Sequence, residues 1–401
     1  MSESKPNDKI RLSIITSCYS NIPYFSDMLD SFLNSGYHFR NTEFVICDDA
    51  SPAGGDGDTA RRYMKKYPEL FRMIRHEERQ GIAVSYHDLV EAARGDYVLI
   101  FDADDIFVPF DLDASMDYLD AHPECGASYG RKRLFNDEEG DMGTVHGGEA
   151  SLFAMTFDPR IVHNGMLIRV SDLKAVGSYM PTNLGVEGGA ADISMWIRLA
   201  LVKDLHFEFP LRAFFRVHKR QKTSAANNHH RQEYQYLGDK LIERYRDLYD
   251  ALAERRQLTI TSEQRNAAQM LLGLLYHRAE DPNLKLAYLD AATTVMPEDY
   301  ATYELRAELL LQTGHPHEAL DNAFRQFLLY PNGSYATYQA MLKARQAAEA
   351  LKYPAEIYRR AEQTVLGHVF YLDDRQKQLF QAAIQTGFRA KNLSLSGGQT
   401  E

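Results

Sequence analysis

Asp102, Asp104 and Asp105 close a short apolar run, YVLIFDADD at 97–105. If the extended backbone persists through this segment, Asp102 and Asp104 share one face and Asp105 points elsewhere, because side chains two positions apart in a strand point the same way. Two carboxylates on one face repel each other, and a hard divalent cation relieves that repulsion by taking oxygen ligands. The spacing therefore predicts a cation site.

The kind of cation site can be narrowed further. Mg²⁺ or Mn²⁺ usually takes one or two carboxylates together with substrate phosphates and water, so these aspartates suit a nucleoside diphosphate better than a metal cage built from protein alone. Two further Asp-x-Asp strings, at 56–58 and 111–113, do not directly end a buried strand. A second interpretation stays open, in which the aspartates only cap the next helix or solubilise a turn.

Four short apolar runs in the first part of the chain are continuous rather than alternating. Segments with helical periodicity separate them, and two of these, 21–32 and 82–93, are predicted to be crossover helices. This pattern is typical of strands that are covered on both faces in a parallel sheet of βαβ units. The runs are 12–16, 43–49, 71–76 and 97–105.

Polar residues also follow the first two runs of the predicted sheet. Ser17 and Tyr19 come after the first run, and Asp48 and Asp49 end the second. In an open α/β sheet the ligand crevice lies beyond the carboxyl ends of the strands. We therefore expect these side chains to line one pocket with the aspartates at 102–105.

The last third of the chain has a different pattern. A linking helix is predicted over 226–255, and 256–390 is rich in Ala, Leu, Gln and Tyr, with two helical patterns per unit. Pro297 and Pro331 close successive units and stand 34 residues apart, which is the period of tetratricopeptide repeats. A small residue such as Gly273 would let the two helices of a hairpin approach closely. We predict a tetratricopeptide-like helical domain that serves acceptor binding or self-association.

The composition is typical of a soluble chain with two domains. The 401 residues carry 45 Lys and Arg against 56 Asp and Glu, a net charge of -11, so nucleic acid is not expected as a partner. Cys18, Cys47 and Cys125 have no metal-binding spacing and indicate a reducing compartment. Without a signal-peptide pattern or an apolar stretch of about 18 residues, a cytoplasmic protein is expected. The ends, 1–9 and 391–401, are predicted to be flexible tails.

Five segments occur in an order that resembles family-2 glycosyltransferases of the GT-A fold. LSIITSCYS is similar to the family's first strand and nucleotide-binding loop, and EFVICDDAS to its Asp-Asp-x-Ser. GIAVSYHDLVEAARGDYVLIFDADD is similar to its helix, strand and DxD motif, and VEGGAADISMWIRLA and FFRVH to its later motifs. The resemblance covers about 10–220. It implies an α/β fold, with a GT-A nucleotide-binding mixed sheet flanked by helices over 10–225, ahead of the all-α helical-repeat domain.

The resemblance implies a donor site at the strand ends. Asp49 would hold the base of the nucleotide by accepting the imide N–H of uracil, and Asp102 would contact the ribose or the waters of the metal. The other donor-binding residues would be Ser17, Tyr19 and Gly81.

The resemblance also implies a metal site and a general base. Asp104 would ligate Mn²⁺ or Mg²⁺, and His218 would supply a further ligand or a phosphate contact, although a His that ends a strand is often only hydrogen-bonded. Asp192 corresponds to the general base of the inverting members, a carboxylate that accepts the proton of the acceptor hydroxyl. Because Asp192 precedes a helical pattern, it is also a candidate helix cap.

The acceptor side is less clearly marked. Tyr86 and His87 stand where the family commonly has Arg-Asn, and Ala191 stands where a Glu often precedes the base. The candidates for acceptor contact are His163, Asn164, Glu187 and Trp196.

The expected activity is therefore metal-dependent, inverting transfer of a sugar from a nucleoside diphosphate donor, with a UDP-sugar favoured, to a hydroxyl of a glycan acceptor. The family resemblance suggests bacterial surface polysaccharide synthesis. Two alternatives stay open: a peptide or protein acceptor, and a nucleotide-binding helical-repeat interaction protein without turnover. The sequence is also compatible with a homo-oligomer formed through the helical domain and with peripheral membrane contact. No GxGxxG follows the first strand, which argues against a nicotinamide-dependent oxidoreductase, and no GxxxxGK[ST] occurs, which excludes a P-loop enzyme.

Overall fold

The structure is a computed structural model that describes most of the chain. Outside its described residues lie 1–8, Glu187, Pro331 and the predicted end of the helical domain at 390. The described residues are 9–21, 23–138, 140–179, 191–218, 229–256, 258–329 and 335–352.

Within these described ranges, nine strands form one mixed sheet in the order β3-β2-β1-β4-β8-β6-β9-β5, with β7 paired to β6. The first four strands run parallel to one another, whereas β8 runs antiparallel to both β4 and β6. β9 pairs parallel with β6 and antiparallel with β5. The strands are β1 (Leu12–Cys18), β2 (Thr42–Asp48), β3 (Phe71–Arg75), β4 (Tyr97–Ile100), β5 (Ile106–Phe107), β6 (Cys125–Asn136), β7 (Gly140–His146), β8 (Met166–Arg169) and β9 (Asp204–Arg216).

Helices flank the sheet and then continue as a separate run. Six lie within the sheet-forming part: α1 (Tyr24–Leu33), α2 (Asp56–Lys66), α3 (Ile82–Ala92), α4 (Leu112–Ala121), α5 (Val170–Ala175) and α6 (Ala191–Ala200). The others are α7 (His229–Arg244), α8 (Arg246–Ala253), α9 (Arg265–Arg278), α10 (Pro282–Val295), α11 (Tyr300–Gln312), α12 (Pro316–Leu329) and α13 (Tyr335–Ala350). No helix within these described ranges is both long and apolar enough to cross a membrane.

The parallel strands are buried on both faces, as their continuous apolar runs predict. Ile14 and Phe44 belong to one fully buried cluster, and their neighbours Ile15 and Val45 belong to a second cluster on the other face. This alternation follows from the two-residue period of a strand. The expected class, a mixed sheet flanked by helices and followed by an all-helical region, is confirmed.

One strand was not predicted from the sequence, and one predicted helix needs correction. β6 has no continuous apolar run, because its sequence CGASYGRKRLFN mixes glycine, charge and apolar residues, so apolar periodicity does not reveal it. A single linking helix was predicted over 226–255. Within the described residues from 229 onwards the structure has two helices, α7 and α8, with a break between them at Tyr245.

The helical region packs against the sheet-forming part in one continuous core. Buried Phe153 and Met155 belong to the same apolar cluster as Leu271 and Leu272 of α9. A Cβ atom on Gly273 would lie 1.8 Å from the carbonyl oxygen of Phe153. Gly273 thus permits the contact between α9 and the preceding domain, rather than the approach within a hairpin that the sequence suggested.

The helices recur with a regular spacing. α9, α11 and α13 begin at Arg265, Tyr300 and Tyr335, so successive helix pairs start 35 residues apart. This spacing is close to the predicted period of 34. The assignment to tetratricopeptide repeats stays a prediction.

Candidate functional site

The carboxyl ends of β1 and β2 supply the first wall of the site. Ser17 is half-buried, and Tyr19 just beyond β1 is 40% exposed. The Arg79 guanidinium lies 4.5 Å from the centre of the Tyr19 ring, a cation–π distance. The two side chains thus lie against each other beside the strand ends.

Asp49 follows β2 and is almost fully buried. Its carboxylate accepts hydrogen bonds from the backbone N–H of Gln80 at 2.7 Å and of Gly81 at 2.9 Å, and it pairs with His76 Nδ1 at 2.8 Å. Gly81 has a φ of 90°, a left-handed value that favours glycine, and it begins α3. A carboxylate offers about four lone-pair positions, so three internal partners leave one for a ligand.

His76 joins Asp49 to a second carboxylate. Its Nε2 lies 3.0 Å from Asp88 Oδ2. Burial lowers the pKa of His76, but the hydrogen bonds to Asp49 and Asp88 outweigh this effect, so its pKa is raised. The sequence interpretation did not single out His76, which is the last residue of the third apolar run.

The three aspartates after β4 do not continue the strand, because β4 ends at Ile100 and a turn begins at Ala103. The expectation that extended geometry persists through Ala103 is therefore wrong. Asp105 does point away, as predicted, and it is fully buried. Asp102 and Asp104 stay partly exposed and contact different neighbours.

Asp102 is held on the side of the site that includes α3. The Tyr86 hydroxyl donates to its carboxylate at 3.0 Å, and His163 Nδ1 lies 3.8 Å from the same oxygen. Burial raises the pKa of Asp102, but His163 and Tyr86 outweigh it, and the pKa is lowered. Tyr86 also stacks on Tyr179 at 5.1 Å. Tyr86, which departs from the family pattern at its position, thus orients Asp102.

Two further residues fix the turn that carries Asp102, Asp104 and Asp105, which we call the aspartate turn. The Asn164 side-chain oxygen accepts the Asp102 N–H at 2.6 Å, and the Asn164 amide donates to Asp105 Oδ2. Arg216 donates its backbone N–H to Asp105 Oδ1 at 2.7 Å and its Nε to the Asp104 carbonyl at 2.9 Å. With 2% exposure and both amide atoms engaged, Asn164 supports the turn instead of presenting itself to an acceptor.

Asp104 and His218 come together from elements far apart in sequence. His218 Nε2 lies 2.9 Å from Asp104 Oδ2, and the side chains are 12% and 17% exposed. No group of three metal-binding side chains occurs among the residues that the structure describes. One carboxylate and one imidazole with outside access fit a cation that completes its coordination with phosphates and water.

Asp192 lies in the first turn of α6 and is half-buried. Its Oδ1 accepts the N–H of Ile193 at 2.8 Å, so the carboxylate does contact the helix terminus. Burial lowers the pKa of His163, but the charges of Asp102 and Asp192 raise it above its usual value. His163 lies 3.8 Å from Asp102, and its ring centre lies 6.2 Å from that of Trp196 on α6, so this helix packs beside the Asp102 side of the site.

His163 and Trp196 lie inside the protein rather than on an open surface. His163 Nε2 is 2.7 Å from the Tyr179 hydroxyl, and its ring centre is 6.2 Å from that of Trp196. Trp196 is 4% exposed, and its indole N–H has no hydrogen-bond partner among the described residues.

Lys132 is a candidate residue that sequence reasoning did not single out. It lies on β6, where it pairs with Ala213 of β9, and its Nζ is 3.7 Å from the Phe215 ring centre. Burial lowers the pKa of Lys132 despite the carboxylates nearby. Within the described part of the chain, its ammonium makes no hydrogen bond or ion pair. The carboxylates within Coulombic range are Asp105, Asp102, Asp192 and Asp104.

Comparisons with known proteins match the sheet-forming part of the chain. Residues 13–171 match the family model described as Glycosyl transferase family 2. "Uncharacterized protein Rv1520" of Mycobacterium tuberculosis (strain ATCC 25618 / H37Rv) is 30% identical over 128 residues, which cover 32% of this chain and 36% of that protein. The chain thus spans about a third of the length of this relative.

A second relative is covered more fully. "Putative teichuronic acid biosynthesis glycosyltransferase TuaG" of Bacillus subtilis (strain 168) is 25% identical over 196 residues, which cover 48% of this chain and 73% of that protein. The crystal structure of S. aureus TarS 1-349 is similar with a TM-score of 0.46 and 15% identity, over 85% of this chain and 91% of that chain. A TM-score of that size does not establish shared chemistry. Residues 13–171 are thus similar to glycosyl transferase family 2 domains.

Proposed function

We propose that this chain is an inverting glycosyltransferase, which moves a sugar from a nucleoside diphosphate donor to a hydroxyl group of a glycan. The observation that supports this most is the position of α6, which carries Asp192, beside the turn that carries Asp102 and Asp104. His163 lies 3.8 Å from Asp102, and its ring centre is 6.2 Å from that of Trp196 on α6.

The donor base would bind beside Asp49. Its remaining lone pair would accept the imide N–H of uracil, and the Tyr19 ring with Arg79 above it would stack against the base. Ser17 and the Gly81 backbone line the same strand ends. A uridine nucleotide is therefore the donor class that we expect.

Asp104 and His218 would hold a divalent cation. When bound, Mn²⁺ or Mg²⁺ supplies positive charge that stabilises the departing diphosphate. Asn164 and Arg216 keep the backbone of the aspartate turn in place, and this limits the reorganisation that substrate binding requires.

Asp192 would act as the general base. Its carboxylate would accept the proton of the acceptor hydroxyl while that oxygen bonds to the anomeric carbon and the bond from that carbon to the diphosphate breaks. A single displacement of this kind inverts the anomeric configuration.

The acceptor would be a bacterial surface polysaccharide, since the relative TuaG is named a teichuronic acid biosynthesis glycosyltransferase. The test is a panel of UDP-sugars with Mn²⁺ and glycan or peptide acceptors, with product anomers assigned by NMR. Transfer with inversion supports the proposal. Retention of configuration, or UDP binding without any transfer or hydrolysis, would contradict it.

Lys132→Met is expected to weaken binding of UDP about 10- to 100-fold, because a hydrogen bond to a charged group contributes roughly 1.5–3 kcal/mol. Its ammonium lies in an anionic neighbourhood without a paired partner, so a diphosphate would supply one. Calorimetric titration with UDP and with uridine measures the effect, and uridine binding should not change. Lys174→Met, at an exposed pair with Glu91, is the control. Equal UDP affinity in both variants would remove Lys132 from the site.

A further inference from the structure

A long loop connects the helical region to the aspartate turn. This docking loop, residues 147–165, runs from the end of β7 to the start of β8. It carries His163 and Asn164, which contact Asp102 and Asp105, close to its C-terminal end. Its earlier half lies against α9 and α11. The loop therefore contacts both the candidate site and the helices.

The first anchor of the docking loop is Asp299, which caps the N-terminus of α11 and is 5% exposed. Its carboxylate accepts the Ser151 hydroxyl at 2.6 Å and the Phe153 N–H at 3.0 Å. The Tyr300 hydroxyl donates to the Glu149 carbonyl at 2.8 Å. Buried polar groups with these partners are costly to separate, because each would lose its hydrogen bonds.

The second anchor is a two-pronged ion pair. Both terminal nitrogens of Arg160 contact the Glu304 carboxylate, at 3.0 and 2.9 Å, and the Arg160 side chain is 16% exposed while that of Glu304 is 7% exposed. Arg160 has a φ of 52°, a left-handed value that non-glycine residues rarely adopt. Tertiary contacts must select this conformation, and the bidentate bond to Glu304 is the contact that ties the Arg160 side chain to α11.

Only two residues separate Arg160 from His163. From there the chain of contacts continues through Asn164 to the Asp102 N–H and the Asp105 carboxylate. Gly273 of α9 adds close contact with the Phe153 carbonyl in the same loop. A displacement of the loop at Arg160 would therefore be transmitted to the aspartate turn within a few residues.

We propose that the helical region positions the aspartate turn. Helix α11 holds the docking loop through Asp299 and Glu304, and the loop holds Asp102 and Asp105 through Asn164. The part of this inference that concerns turnover rests on the proposed function. Glu304 and Arg160 act as positioning residues, since they touch neither donor nor acceptor. The helical region is then part of the active domain, in addition to any role in acceptor binding or self-association.

The test compares Glu304→Ala with Glu308→Ala on the same helix, where Glu308 pairs with Lys343 at 3.0 Å and does not contact the loop. Hydrogen exchange of the Asp102 amide in the full chain is the first measurement, because that N–H donates to Asn164. We expect faster exchange at Asp102 in Glu304→Ala, and wild-type exchange in Glu308→Ala. Glu304→Gln, which retains an acceptor, should restore part of the protection. Equal protection of Asp102 in all variants would overturn the inference.

Turnover is the second measurement. Glu304→Ala should lower kcat about 10- to 100-fold with little change in the KM for donor, because small misplacement of catalytic groups has effects of that size. If Glu304→Ala fails to fold, Glu304→Gln and Arg160→Lys give the same comparison. If the wild type shows no transfer, the proposed function fails, while hydrogen exchange still decides the positioning role. A folded Glu304→Ala protein with wild-type kcat would contradict the positioning role of Glu304 in turnover.

Discussion

Replacing Asp192 with Asn is expected to lower kcat for transfer by about 10² to 10⁴-fold, the usual contribution of a general base. Asn has the shape of Asp but cannot accept the hydroxyl proton at neutral pH. The affinity for UDP should stay within about twofold, since the nucleotide would bind at the strand ends and not at α6. Steady-state transfer rates and calorimetric titration with UDP measure the two quantities.

The contact with the Ile193 N–H calls for a control, because Asp192 also lies at a helix terminus. In Asp192→Ser, the hydroxyl can still accept that N–H but is too weak a base for the acceptor proton. A loss of kcat in both the Asn and Ser variants, with unchanged melting temperature, separates catalysis from helix capping. If Asp192→Ser transferred sugar at the wild-type rate, the carboxylate would have only a structural role.

The sequence predicted those parts of the site that follow continuous apolar runs. Strands with such runs form the parallel half of the sheet, so Ser17, Asp49 and Asp104 could be placed at its carboxyl edge without a structure. His218 was placed near them by a motif at the end of another strand. The 2.9 Å contact between His218 and Asp104 agrees with that placement.

Other parts of the site depend on pairing between strands that have no periodic signal. Lys132 stands in the run GRKRL, where nothing in the sequence distinguishes it from Arg131 or Arg133. Only the register of β6 against β9 brings it beside Phe215 and towards the carboxylates. Composition cannot reveal such a position.

The role of Asn164 could not be predicted for a related reason. A polar residue before a strand is compatible with a surface site, and its burial depends on the turn at Ala103, which replaces the extended backbone expected after β4. Gly273 was recognised as a small residue at a packing position, but the partner it approaches, Phe153, is 120 positions away in sequence. Long-range contacts of this kind require the fold.

Replacing Asp104 with Ala is expected to remove the dependence of UDP binding on Mn²⁺ and to lower kcat by about 10²-fold or more, because a bound cation contributes several kcal/mol of charge stabilisation. His218 alone would be a weak site for a hard cation, which prefers oxygen ligands. UDP titrations at increasing Mn²⁺ concentration, and transfer rates before and after chelation, give the two readouts.

The control for Asp104 is Asp113→Asn, since Asp113 belongs to another Asp-x-Asp string but lies on α4, away from the carboxyl ends of the parallel strands. This variant should keep the wild-type response to Mn²⁺, whereas Asp104→Ala should bind UDP as weakly with Mn²⁺ as without it. The comparison separates a specific ligand from a general loss of negative charge, because both changes remove one carboxylate. If Asp104→Ala still bound UDP more tightly with Mn²⁺, the cation would have to be held elsewhere, and the pair of Asp104 with His218 would be only a structural contact.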